Sequence, residues 1–262
     1  MPETGRSASV VLVHAGEVLG RLPPVALEMP WWPEAHDLFA AIRGRDGVEI
    51  TVLRLLEARS DRAFGGEVTY LAETDRPPSA RLFDWEGGDP LADHPLRQVW
   101  ARPGGPEQLL SWAADRLATK GLNRTGSAEQ MRSWNLSALW RIPTDTGPVW
   151  LKAVPGFFAH EGAVIDWIGV PAAPRLVDFA PGRTLIANID GDPNHEVRDP
   201  AALRPMVALL TTVQQRSIGR LDQLSAIGVP IASYRSWCPG SPAWSSSGAP
   251  SSTCRSVGRW KC

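Results

Sequence analysis

Apolar residues recur along this chain with two different periods, and the alternation between them predicts where strands and helices lie. SVVLV at residues 9–13 reads as a strand, and WWPEAHDLFAAIRGRDG at 31–47 as a helix closed by Gly47. VEITVLRLLEA (48–58) and, after the turn-prone RAFGG, EVTYLAE (67–73) read as two further strands. Residues 1–75 are therefore expected to form a small mixed α/β unit. Residues 76–105, with DRPPSARLFDWEGGDP and WARPGGP, are rich in Pro and Gly and read as a connector.

Beyond the connector the helical period returns. PEQLLSWAADRLATKG places Pro106 at a first helical position and ends on Gly121, with Leu110, Ala113, Ala114 and Leu117 forming one apolar face. SALWRI, the turn TDTG and PVWLKA make a hairpin. A helix is expected from Phe157 to Ile168, followed by short strands in RLVDFA and TLIANI. Asp199 is placed to cap a long helix over PAALRPMVALLTTVQQRSIGRL, with Leu203, Val207, Leu210 and Gln214 on its inner edge.

Composition narrows the function classes. At 262 residues and 43% hydrophobic, the chain can build one large or two small cores. Its net charge of -1 supplies no long-range field, so no nucleic-acid and no membrane-surface partner is expected. The opening MPETGRSASVVLVHAG fits neither a secretory signal nor a membrane span, which points to a cytoplasmic location. Cys238, Cys254 and Cys262 form no CxxC pair and have no His nearby, so neither a zinc site nor a disulfide framework is indicated. Nothing in residues 1–75 matches the Arg-Glu-x-x-Glu-Glu run of Nudix hydrolases, a family whose strand, helix, strand order they loosely resemble, and no pyrophosphohydrolase chemistry is assigned. Nothing in the sequence sets the oligomeric state.

One cation stands out. The chain has 27 basic residues and only three are Lys: Lys120, Lys152 and Lys261. Lys152 lies inside the apolar strand VWLKA, where a compact ammonium and not a guanidinium fork is used. It shares a strand face with Trp150, while Val149 and Leu151 point the other way. In the following helix Glu161 falls in a stripe with Phe157, Phe158, Val164, Ile165 and Ile168. A carboxylate there needs a partner, because leaving it unpaired costs several kcal/mol. The strand Lys and the helix Glu are predicted to meet as an ion pair.

The stretch QMRSWNLSALWRIPTDTGPVWLKAVPGFFAHEGAVIDWIG resembles the amino-terminal lobe of the protein kinase-like fold, and within it the aminoglycoside phosphotransferase family. It shows a Ser-containing hairpin in place of a glycine-rich loop, a strand with Lys, then a helix with Glu. The likeness spans Pro106 to Pro230. It implies an α+β fold, a kinase-like N-terminal lobe of antiparallel sheet plus helix at 106–198, preceded by the small α/β unit, with 199–230 as the helical start of a largely missing C-terminal lobe. It also implies ATP and Mg as cofactors and a small hydroxylated acceptor, with nucleotide binding expected to be weak or absent in this chain because half of the enclosing cleft is missing. By the same resemblance Lys152 touches the α and β phosphates, Glu161 orients it, Ser137 lies near the phosphates, and Asn188, Ile189 and Asp190 form the hinge beside adenine. Trp150 departs from the small residue usual at its position and either stacks on the base or plugs its pocket.

The family's chemistry needs a His-x-Asp loop, an Asn five residues later and a further Asp that holds magnesium. None of His14, His36, His94, His160 or His195 begins such a loop, so no catalytic and no metal-holding residue is assigned. From Ile231 the composition changes to nine Ser, three Trp and three Cys, with no Leu, Asp or Glu. Residues 231–262 are expected to be disordered, as the product of a frameshift or as a natural Ser-rich tail. Two functions compete: a phosphotransferase family member whose own chain is inactive, and a non-catalytic remnant that holds nucleotide or protein.

Overall fold

The strand β1 (Arg6–His14) buries Ala8, Val10 and Leu12 on one face and Val11 and Val13 on the other, so its sheet is covered on both sides. It pairs antiparallel with β2 (Glu17–Leu27) and parallel with β4 (Gly66–Glu73). β4 pairs antiparallel with β3 (Thr51–Arg59), giving the order β2-β1-β4-β3. The computed structural model describes residues 5–170, 173–189 and 200–230, and those up to Val229 belong to one compact unit. Asp190, Asp199 and the tail 231–262 lie outside the described residues.

The helix α1 (His36–Asp46) ends on Gly47, whose φ of 65° is the left-handed conformation that closes a helix. Leu38 and Ile42 pack against Ala8, Val10 and Leu12. The strand β2 was not anticipated by periodicity. Pro23 and Pro24 and two register shifts break its alternation, and its edge position tolerates prolines that cannot donate to a ladder.

Residues 76–105 contain little regular structure, but they pack closely. Trp85 and Leu91 cover Val11, Val13, Leu53 and Leu71 on the face of the first sheet away from α1. Phe83 exchanges main-chain hydrogen bonds with Arg21 at 2.7 and 2.9 Å. The Arg54 guanidinium donates to the carbonyls of Pro90 and Ala101.

A second sheet comprises β5 (Glu129–Trp134), β6 (Ser137–Ile142), β7 (Val149–Ala153), β8 (Leu176–Ala180) and β9 (Arg183–Ala187), antiparallel throughout and ordered β5-β6-β7-β9-β8. The helix α2 (Gly105–Thr119) covers one face, packing against Trp140, Ile142, Leu151 and Leu185. Its buried residues are Gly105, Pro106, Leu109, Ala113 and Leu117, with Leu110 and Ala114 only half-buried. Ala113 and Leu117 are thus buried as predicted, while Leu109 takes the place expected of Leu110, because several apolar edges were available and contact with the sheet selects among them.

The helix α3 (Glu161–Ile168) lies on the opposite face. It is shorter than the predicted 157–168: Gly156–Phe158 form a 3-10 turn instead. The β8–β9 turn explains the difference. The Gly182 carbonyl accepts from Val154 N–H at 2.8 Å, and Gly182 N–H donates to the Ala159 carbonyl at 3.3 Å, occupying an acceptor that a longer helix would use itself.

The helices α4 (Pro200–Ser217) and α5 (Leu221–Ala226) follow. Val207 and Leu210, expected on the inner edge of α4, are 60% and 56% exposed, and Gln214 is exposed as well. The half-buried positions are Leu203, Leu209, Val213 and Ser217, because α4 meets α3 near its C-terminal end, where Arg216 donates to the Ile168 carbonyl at 2.9 Å. Among the described residues, no helix is long and apolar enough to cross a membrane.

The first sheet and the second are joined through β5. Ala35 N–H donates to the Met131 carbonyl at 3.0 Å and Ser133 N–H to the Pro33 carbonyl at 2.9 Å. The Gln130 amide bonds both the N–H and the C=O of Val52, each at 2.8 Å, and Arg132 pairs with Glu34 at 2.6 Å. Buried Arg6 holds the 31–34 segment in place by donating to the carbonyls of Trp31 and Glu34 and to Asp37.

Candidate functional site

The alternation of β7 builds the site. Val149, Leu151 and Ala153 are buried toward α2, which leaves Trp150 and Lys152 on the face that α3 partly covers. Cross-strand pairing adds two rows to that face: Leu139, Lys152 and Thr184, then Arg141, Trp150 and Ile186.

Lys152 Nζ donates to Glu161 Oε1 at 2.7 Å and to Oε2 at 2.9 Å. The side chains are 36% and 28% exposed, so the pair sits at the rim of a cleft and not in a dry core. Glu161 occupies the first turn of α3, where the helix dipole favours a carboxylate. Thr184, directly across from Lys152, is buried.

Gly162 makes the approach of α3 possible, a role that periodicity did not reveal. A Cβ on Gly162 would lie 2.5 Å from the Cβ of Phe179 on β8, so only glycine lets the helix come this close to the sheet. A glycine inside a short helix, next to the charged residue, was the signal in the sequence.

Ser137 starts β6 one position before Ala138, the partner of Ala153, and so lies at the same end of the sheet as Lys152. Its Oγ accepts from Trp134 Nε1 at 2.8 Å across the β5–β6 turn, leaving the hydroxyl hydrogen able to donate. Asn188 lies just past β9 at the other end of β7. Its Oδ1 accepts from Trp150 Nε1 at 2.9 Å, and its N–H donates to the Pro148 carbonyl at 3.1 Å. Ile189 is 63% exposed. The fold thus joins Lys152 to Glu161 directly, places Ser137 at the same end of the sheet, and sets Asn188 against Trp150. Among the described residues, no group of three or more His, Cys, Asp or Glu could hold a metal ion.

No family model and no curated protein matches the chain. A crystal structure of a Thermobifida fusca protein assigned as a fructosamine-3-kinase aligns with a TM-score of 0.27 and 21% identity over 32% of this chain and 32% of that one. The match thus spans about a third of that protein's length.

Proposed function

We propose that the second sheet and α3 form a kinase-like lobe that holds ATP, with Lys152 on the α and β phosphates and Glu161 orienting the ammonium. The observation that carries this reading is the ion pair at 2.7 Å. In protein kinases the phosphate-touching Lys lies on the third strand and pairs with a Glu on a helix. Here Lys152 lies on the third strand of its sheet, and Glu161 on the α-helix that follows. Glu161 accepts from the Lys152 ammonium with both carboxylate oxygens, using at most two of its three N–H donors, and the 36% exposure leaves at least one able to meet a phosphate. Such an opening adds little to a pair kept for stability alone.

In this reading Ser137 donates to the phosphates from the hairpin turn, and Trp150, Asn188 and Ile189 border the base. The lineage is that of enzymes resembling aminoglycoside phosphotransferases, which phosphorylate small hydroxylated molecules. These 262 residues contain no His-x-Asp loop to accept the hydroxyl proton. They bind nucleotide and do not transfer its phosphoryl group.

The test is calorimetric titration of ATP, with magnesium, into the wild-type protein and into Lys152→Met and Glu161→Gln. Binding is expected in the wild type, loss in Lys152→Met and weakening in Glu161→Gln. Equal binding in the wild type and Lys152→Met overturns the nucleotide site. Labelled product from ATP and a panel of hydroxylated acceptors, absent with Lys152→Met, overturns the claim that no phosphoryl group is transferred.

A further inference from the structure

A second concave site lies where the first sheet meets the β5–β6 hairpin. It is a groove of about 730 Å³ between β3, the 31–33 segment, the 94–101 segment and the hairpin turn. This volume falls within the range of small-molecule sites. Trp31, Trp32, Phe64 and Trp134 form aromatic walls. Two of the indole N–H groups are already used, Trp32 on the Gly65 carbonyl at 2.9 Å and Trp134 on Ser137 Oγ at 2.8 Å, so these two side chains present ring surface and not donors. Neither Lys152 nor Glu161 lines the groove.

Charge selects among flat ligands. The lining includes Arg54, Arg97 and His94, and no carboxylate. Arg54 donates to two carbonyls, while Arg97 donates from Nη2 to the Ala92 carbonyl at 2.9 Å and its Nε, 3.8 Å from the exposed Asp93 carboxylate, makes no hydrogen bond. Burial first, and then the Arg97 charge, hold the Arg54 pKa down to about 10 against the opposing pull of Asp89 and Asp93. Asp89 and Asp93 offset the two guanidiniums from outside the lining, so inside the groove an anionic group meets a cationic wall and a cation is repelled by it.

We propose that this groove binds a small planar aromatic acid, with its rings among the four aromatic side chains and its anionic group toward Arg97. The site is separate from the proposed nucleotide cleft and does not depend on it. Ser133, Trp134 and Asn135 are shared between the groove and the hairpin, so an occupant also braces the turn that ends at Ser137.

The probe is 2-naphthoate, titrated calorimetrically into the full chain, with uncharged 2-naphthamide as its twin. Saturable single-site binding of 2-naphthoate is expected. Ala63→Trp, at an exposed lining position, fills the groove and removes binding of both probes. Arg97→Gln weakens 2-naphthoate by about tenfold and leaves 2-naphthamide unchanged, since a hydrogen bond to a charged group contributes about 1.5 kcal/mol or more. Leu210→Gln, on the exposed face of α4, leaves both unchanged. The melting temperatures of the variants stay at the wild-type value. Absence of 2-naphthoate binding in the wild type, unchanged binding in both Ala63→Trp and Arg97→Gln, or binding abolished by Leu210→Gln overturns the proposal.

Discussion

Glu161 places both carboxylate oxygens on the Lys152 ammonium, at 2.7 and 2.9 Å, from the first turn of a helix that begins eight residues after β7 has ended. The pair is about one-third exposed, which decides what it contributes. A fully buried pair would lose several kcal/mol on removal of one partner, whereas a solvated one contributes about 1 kcal/mol or less. Lys152→Met is therefore expected to shift the urea midpoint only slightly while removing nucleotide binding. A large loss of stability would mark the pair as structural.

Gly162→Val is expected to push α3 off β8. The added Cβ meets Phe179 at 2.5 Å, and overpacking of this kind costs roughly 1–3 kcal/mol. Phe179→Ala in the same chain should recover part of the loss, and a double-mutant cycle by chemical denaturation measures the coupling. Nucleotide affinity should fall in Gly162→Val, because Glu161 retreats with the helix.

Gln130→Leu should loosen the joint between the two sheets. Its amide bonds both the N–H and the C=O of Val52, and the substitution leaves those groups without their side-chain partner. A loss of about 1–3 kcal/mol is expected, read as a lower melting temperature, with faster amide exchange at Val52.

Asp37 predicts a pH dependence. Burial raises its pKa despite the opposing pull of Arg6. In the window between the ordinary carboxylate value and the raised one, the folded state binds more protons than the unfolded state, so stability falls as pH rises through that window. Urea midpoints of wild type and Asp37→Asn, compared across the acid range, should show the wild type losing ground to the variant with rising pH and then running parallel to it. A difference that grows in favour of the wild type contradicts the sign.

The sequence by itself determined the alternation in VWLKA, the inward face of Lys152, the need of Glu161 for a partner and the stop of α1 at Gly47. These follow from local rules, since a strand turns every second residue the same way and a carboxylate set in an apolar stripe needs a counterpart. Tertiary structure alone decided the order β5-β6-β7-β9-β8, the parallel pairing of β1 with β4, the strand through Pro23 and Pro24, and the start of α3 at Glu161. It also chose the edges on which α2 and α4 pack. A helix with several apolar edges does not select one until a partner surface is present, and a chain position can lose its helical hydrogen bond to a distant turn, as Ala159 does to Gly182. The closeness of α3 to the sheet depends on Phe179 meeting Gly162, two residues whose contact is set by the packing of separate elements and not by any local pattern.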